Sequence, residues 1–216
     1  MRKLSSNPIK NKLQYMAIDR KKVIDDMSKI EVLGAANGLI EGFNVFVTQL
    51  PTAFWNSFAE RLTARSQADM LPEIEYMLTN AAQECGYHTG YGIITSEEWK
   101  AIVQPMVTCV EDVLAGAFAV FTAWGWAQTE ITELIPGKRM VVRAYNYYEA
   151  DGARVGKSYK MNAYMIRGVS AAFMALAYSG DYVIDGSKVR DFECVQTKGI
   201  ECGDDYGEFV VSPSQN

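Results

Sequence analysis

The amino-terminal half of the chain alternates apolar and polar positions with a helical period. Periodicity runs from about Tyr15 to Met27 and gives way to the small-residue segment Gly34-Ala-Ala-Asn-Gly38, which suits close packing or a turn. After Pro51, residues Ala53 to Ala64 place Phe54, Trp55, Phe58 and Leu62 at helical spacing. A further helix opens at Asp69 and Pro72, carries Ile74, Met77, Leu78, Ala81 and Cys85 on one stripe, and is expected to end at Gly86. Ser96, followed by Glu97 and Glu98, predicts a helix start, because a hydroxyl accepts from free backbone amides and carboxylates favour the positive end. From Trp99 to Phe121 the apolar residues recur every three or four positions, which predicts one long buried helix kinked at Pro105.

The period then shortens. Trp124 to Leu134 and Arg139 to Glu149 flank Pro136-Gly137-Lys138 and read as a hairpin, its second arm rich in β-branched residues and tyrosine. Simple alternation puts Val141, Arg143, Tyr145 and Tyr147 on one face and Val142, Ala144, Asn146 and Tyr148 on the other. A loop from Gly152 to Lys157 leads to a helix over about Met161 to Tyr178, and short strands near Val189 to Thr197 and Glu208 to Val211 close the chain. The expected fold class is α+β: a helical amino-terminal half packed on a small antiparallel sheet, with a hairpin-helix-hairpin carboxyl-terminal half.

Composition narrows the function classes. The 216 residues fit one generous domain or a domain with a helical extension, and 49% apolar content is that of an ordinary globular chain. A net charge of −5 disfavours a nucleic-acid partner, and the basic residues from Arg2 to Lys22, interleaved with Leu13 and Ile18, read as a solvated helix face. Four cysteines are too sparse for a disulfide scaffold, and the amino end lacks the layout of a secretion signal, so a reducing cytoplasm is expected. No stretch reaches the roughly 18 uninterrupted apolar residues of a membrane span.

Candidate chemistry is limited to a few constellations. Cys85-Gly-Tyr-His88 has ligand-like spacing and could serve a metal or a nucleophile and base, or be structural within a glycine-rich turn. His88 is the sole histidine, and its imidazole can both donate and accept, so it is a candidate to grip a polar ligand group. Trp124, Trp126, Tyr145, Tyr147, Tyr148 and Tyr164 concentrate around the hairpin and the following helix, where they line an apolar pocket or make core. Arg143 and Arg167 would pair with a ligand carboxylate if they face that pocket; otherwise they are solvated. Gly86-Tyr-His-Thr-Gly-Tyr-Gly92 lacks the strand-then-helix context of a nucleotide loop.

Three segments resemble the four-vinyl reductase domain family. Gly203-Asp204 and Phe209-Val210-Val211 match its closing frame, Val142-Arg-Ala-Tyr-Asn-Tyr-Tyr-Glu-Ala150 resembles its second hairpin strand, and Tyr164 to Leu176 resembles its small-residue helix, with Gly168 as the matching glycine. The resemblance covers roughly the carboxyl-terminal 90 residues in matching order.

In that family a glutamate and three cysteines commonly hold a structural zinc. Residue by residue, those places fall here on Ala163, Gln196, Gly199 and Gly207, which supply no thiolate. A shifted register through Cys194 and Cys202, with Glu193 or Asp191, still leaves too few ligands for a closed tetrahedral site, because Gly168 supplies no third thiolate. No metal and no cofactor are expected, and the chain shows neither a dinucleotide fingerprint nor a flavin motif to supply hydride. The resemblance implies residues 1–48 as a helical extension and 49–216 as a ligand-binding domain. It also implies a homodimer through helices, and a sensor or accessory subunit for a small apolar or aromatic molecule, carboxylated if the arginines reach it, acting on a protein partner. The alternatives are an enzyme or enzyme subunit using His88, Cys85 and Glu149, and a structural adaptor whose pocket is filled by its own tyrosines.

Overall fold

The computed structural model of the chain describes residues 17–150 and 160–215. Leu13 and Tyr15 of the amino-terminal expectation, and the expected loop over 152–157, lie outside the described residues. The first helix, α1 (Arg20–Met27), starts where the Asp19 carboxylate accepts from the Lys22 amide at 3.0 Å. A small hairpin follows, β1 (Ile40–Gly42) and β2 (Val45–Val47), which the sequence pattern did not predict. Its turn residues Phe43 and Asn44 have φ of 55° and 61°, a conformation normally signalled by Asn-Gly. Burial of the Phe43 ring, 4.6 Å from Trp124 between centroids, compensates for that strain.

Helix α2 (Thr52–Ala64) forms as expected, but its aromatic stripe faces outward: Phe54, Trp55 and Phe58 are 50%, 43% and 46% exposed. The residue it buries is Asn56, whose amide donates to the Tyr148 carbonyl at 3.0 Å. Helix α3 (Leu71–Thr95) continues past Gly86, so the glycine-rich segment expected to be a turn is helical. Those glycines permit close approach. A Cβ at Gly86 would sit 3.0 Å from the Val169 Cα, and one at Gly90 2.7 Å from Leu176 Cδ1. Helix-on-helix burial there outweighs the roughly 1 kcal/mol per glycine of lost helix propensity.

The long helix expected from Ser96 is broken rather than kinked. It divides into α4 (Glu97–Ile102), a 3-10 turn at Gln104–Met106, and α5 (Val110–Ala123). Ser96 caps α4 as predicted, accepting from the Trp99 amide at 3.1 Å. Beyond Pro105, the buried Asp112 carboxylate restarts the helix by accepting from the amides of Thr108 (2.8 Å) and Cys109 (3.2 Å), and from Ala17 (2.9 Å) across the fold.

Strands β3 (Ala127–Ile135), β4 (Arg139–Tyr147), β5 (Phe192–Lys198) and β6 (Gly207–Pro213) form one antiparallel sheet in the order β3-β4-β6-β5. Gly137 (φ 65°) closes the β3–β4 hairpin, and α6 (Tyr164–Tyr178) packs on the inner face of the sheet. Simple alternation along β4 fails at one point. Asn146 pairs with Gln128 and Ala144 with Thr129, so Tyr145 is an extra, bulged residue, and Tyr147 turns inward with Val142 and Ala144.

The main core lies between this sheet, α5, α6 and α3, around Phe118, Met140, Ile166, Met174 and Phe209. A second core gathers Val23, Met27, Phe43, Trp99 and Val103 where α1 and the small hairpin pack on α4 and α5. The fold is therefore α+β, with helices on one face of a small antiparallel sheet. Among the described residues no helix is long and apolar enough to cross a membrane.

Candidate functional site

Between α3, α5 and α6 lies an apolar cleft lined by Cys85, Gly86, Gly90, Trp124, Trp126 and Phe173, with Thr89, Ile93, Phe121 and Val169 completing its wall. It encloses about 20 Å³, room for roughly one water molecule. A second void of about 10 Å³, lined by Ile94, Val113, Leu114, Ala117, Leu176 and Ala177, shares Gly90 and Phe173 with the first. Phe173, 4% exposed and set edge-on to Phe118 (5.1 Å) and Phe121 (6.3 Å), contributes to the wall of both voids. No charged side chain lines either. Most lining residues are apolar, and as the side chains stand the space admits a water-sized group.

Of the residues predicted from sequence, Trp124, Trp126 and Cys85 meet at this cleft; the others lie elsewhere. Arg143 and Tyr145 sit on the outer face of the sheet, where the Arg143 Nε donates to Glu208 at 3.2 Å, its guanidinium covers the Tyr206 ring, and the Tyr145 hydroxyl donates to Glu130 at 2.8 Å. Arg167 donates through Nε to the Cys194 carbonyl at 3.3 Å. The Tyr164 hydroxyl donates to Glu75 at 3.0 Å, and the Tyr148 hydroxyl is pushed well up by burial and then by the nearby Glu149 charge. His88 is half-buried, with Nδ1 2.8 Å from the hydroxyl of Tyr182.

Glu149 caps α6. Its two carboxyl oxygens accept from the amides of Met165 (2.8 Å) and Ile166 (3.2 Å) at the helix amino terminus. Burial pushes this carboxyl up to about 8, further than the two amides pull it down. The trio named for catalysis thus has separate local partners: Glu149 a helix end, His88 a tyrosine, and Cys85 the hydroxyl of Thr89 at 3.8 Å.

The four places that the resemblance assigned to zinc ligands do converge. The Ala163 amide donates to Gln196 Oε1 at 3.2 Å, and Gln196 Nε2 donates to the buried Glu201 at 2.8 Å. A Cβ at Gly199 would lie 2.8 Å from both Gln196 Nε2 and Glu201, and one at Gly207 2.9 Å from the Tyr147 ring. The Tyr147 hydroxyl donates to Glu201 and accepts from the Ile200 amide at 3.0 Å. These residues do not fit a zinc ion, since the carboxamide, carboxylate and phenol hydrogen-bond one another and the glycine positions leave no room for added side chains. Among the described residues no group of three or more histidine, cysteine, aspartate or glutamate side chains is placed to hold a metal.

Sequence reasoning missed Phe173, Phe121 and Gly90 at the cleft, and Tyr182 beside His88. The signal for the first group was the Gly86/Gly90 pair, one helical turn apart on α3 and therefore a groove on one face. Tyr182 carries no local signal, because its partners are about 90 residues away in sequence.

No protein-family model matches the chain, and no curated protein matches it in sequence. Among solved structures, the chain is similar to the phenol-responsive sensory domain of the transcription activator PoxR with phenol, at a TM-score of 0.62 and 12% identity over 90% of each chain. It also matches a trafficking protein particle complex subunit 3 from Naegleria fowleri, covalently bound to palmitic acid, at a TM-score of 0.43 and 13% identity over 76% of this chain and 95% of that one. The first likeness shows a shared fold.

Proposed function

We propose that the chain is a binding module for a small, uncharged apolar or aromatic molecule that enters between α3, α5 and α6 beside Trp126 and displaces the ring of Phe173. The observation that carries this reading is the pair of apolar voids that share Gly90 and Phe173 in their walls, the first of them lined also by Trp124 and Trp126. The fold shared with a phenol-responsive sensory domain supports it. A carboxylated ligand is disfavoured, because Arg143 and Arg167 are engaged away from the cleft. In this reading residues 49–216 form the binding unit of a cytoplasmic homodimeric sensor or accessory subunit, with 1–48 as its extension. The Gln196–Glu201–Tyr147 hydrogen bonds tie the closing strands to α6 where the family resemblance placed a metal.

Cys85 provides the test, as its exposed thiol lines the cleft. In a Cys109→Ser/Cys202→Ser background the one other thiol, Cys194, is buried and pushed up to about 12, so alkylation reports Cys85. Toluene should slow that alkylation saturably and benzoate should not. Equal protection by benzoate, or none by toluene, would sink the proposal.

A further inference from the structure

Residues 179–188 form a strap that leaves the end of α6 and crosses α3, with a positive-φ glycine near each end, Gly180 (82°) and Gly186 (68°). Little of it is core: Ile184 is 86% exposed. What holds it to α3 is Tyr182. The ring of Tyr182 lies parallel to Tyr91, 3.7 Å between centroids at 7°, and nearly parallel to Tyr87, at 5.3 Å and 19°. His88 meets it edge-on at 5.8 Å and 86°, with Nδ1 2.8 Å from its hydroxyl. The Val183 amide also donates to the Tyr87 hydroxyl at 3.2 Å, and just past the strap Gln83 of α3 donates to the Val189 carbonyl. Tyr87, His88 and Tyr91 come from adjacent turns of α3 and are absent from the wall of the apolar cleft.

We propose that Tyr87, His88 and Tyr91 form a second, phenol-selective slot that Tyr182 occupies as an internal ligand, so that a free phenol competes with Tyr182 and releases the strap. Tyrosine faces accept any flat ring, and an imidazole nitrogen at hydrogen-bond distance favours a ring bearing a hydroxyl. A tethered ring competes at an effective concentration of order mM, so the intact chain takes a free phenol weakly and removal of Tyr182 uncovers the slot. This slot is separate from the apolar cleft and does not depend on it.

The test is calorimetric titration with p-cresol, the free counterpart of the tyrosine side chain, and with toluene as its hydroxyl-free analogue. Tyr182→Ala is expected to bind p-cresol at least about tenfold more tightly than the natural chain. Toluene should show no such gain, and Tyr182→Ala/His88→Ala should lose it. Equal p-cresol affinity with and without Tyr182, an equal gain for toluene, or a gain that survives loss of His88 would each overturn the assignment. Strap release is read on the natural chain by trypsin cleavage after Lys188, which p-cresol should accelerate and toluene should not. Unchanged cleavage overturns the proposal, and this measurement decides it if Tyr182→Ala fails to fold. The cleft reading stands or falls separately, on toluene protection of Cys85.

Discussion

Replacing Phe173 by alanine tests stability and binding together. The ring is 4% exposed and makes edge-to-face contacts with Phe118 and Phe121. Buried Phe→Ala changes cost about 3–5 kcal/mol, and loss of two aromatic pairs pushes this site toward the upper half of that range. Alanine's better helix propensity on α6 returns only a few tenths, about 0.5 kcal/mol. A net loss of roughly 4 kcal/mol, at roughly 2–4 °C per kcal/mol for a chain of this size, lowers Tm by about 8–16 °C. The vacated space joins the voids of about 20 and 10 Å³ into one dry apolar cavity, approaching the roughly 150 Å³ that admits benzene. Toluene at about 100 times its Kd should then restore about 2.7 kcal/mol, or roughly 5–11 °C. The assay is thermal unfolding with and without toluene, with benzoate as control. A loss below about 1 kcal/mol, or no recovery with toluene, would refute the expectation that removing the Phe173 ring leaves one apolar cavity.

Two other perturbations separate the forces at work. At Gly168 an added Cβ would lie 2.5 Å from the Gln83 amide nitrogen and 2.6 Å from the Thr79 carbonyl oxygen, backbone atoms that yield only if α3 and α6 part. Gly168→Ala should therefore destabilise by about 1–3 kcal/mol or more, whereas Gly34→Ala, whose nearest neighbour is 3.9 Å away, should stay within about 0.5. Equal urea midpoints for the two would contradict the close-approach argument. Glu149, raised by burial from 4.5 to about 8, binds its proton more tightly in the folded chain than in the unfolded one. Its contribution is complete below about pH 4.5 and is lost as pH rises toward 8, with a limiting slope of about 1.4 kcal/mol per pH unit. Glu149→Gln should remove that slope from urea midpoints taken between pH 5 and 9. Parallel profiles would mean that the α6 amides and Arg167 keep the carboxylate ionised.

Local physics made much of this protein legible in its residues. Ser96 caps its helix, Gly137 turns its hairpin, and the small-residue run after that hairpin forms a helix, because each depends on neighbours within a few positions. Three features escaped because distant partners decide them. Gly86 to Gly92 is helical since α6 and the small hairpin press against the glycine faces, overriding their turn propensity. Pro105 ends a helix outright because the Asp112 carboxylate, fixed from across the fold by the Ala17 amide, gathers the amides beyond it. Tyr147 points inward because a bulge at Tyr145, invisible in the alternation of β4 alone, shifts its register against β3. The candidate site divides the same way. An aromatic concentration around the hairpin was readable, but the cleft selects Trp124 and Trp126 from it and adds Phe173 and Gly90. His88 goes to Tyr182 and the arginines to the outer sheet and a backbone carbonyl. Residue type and spacing picked out the aromatic and polar side chains; only packing across the chain decided which of them share a cavity.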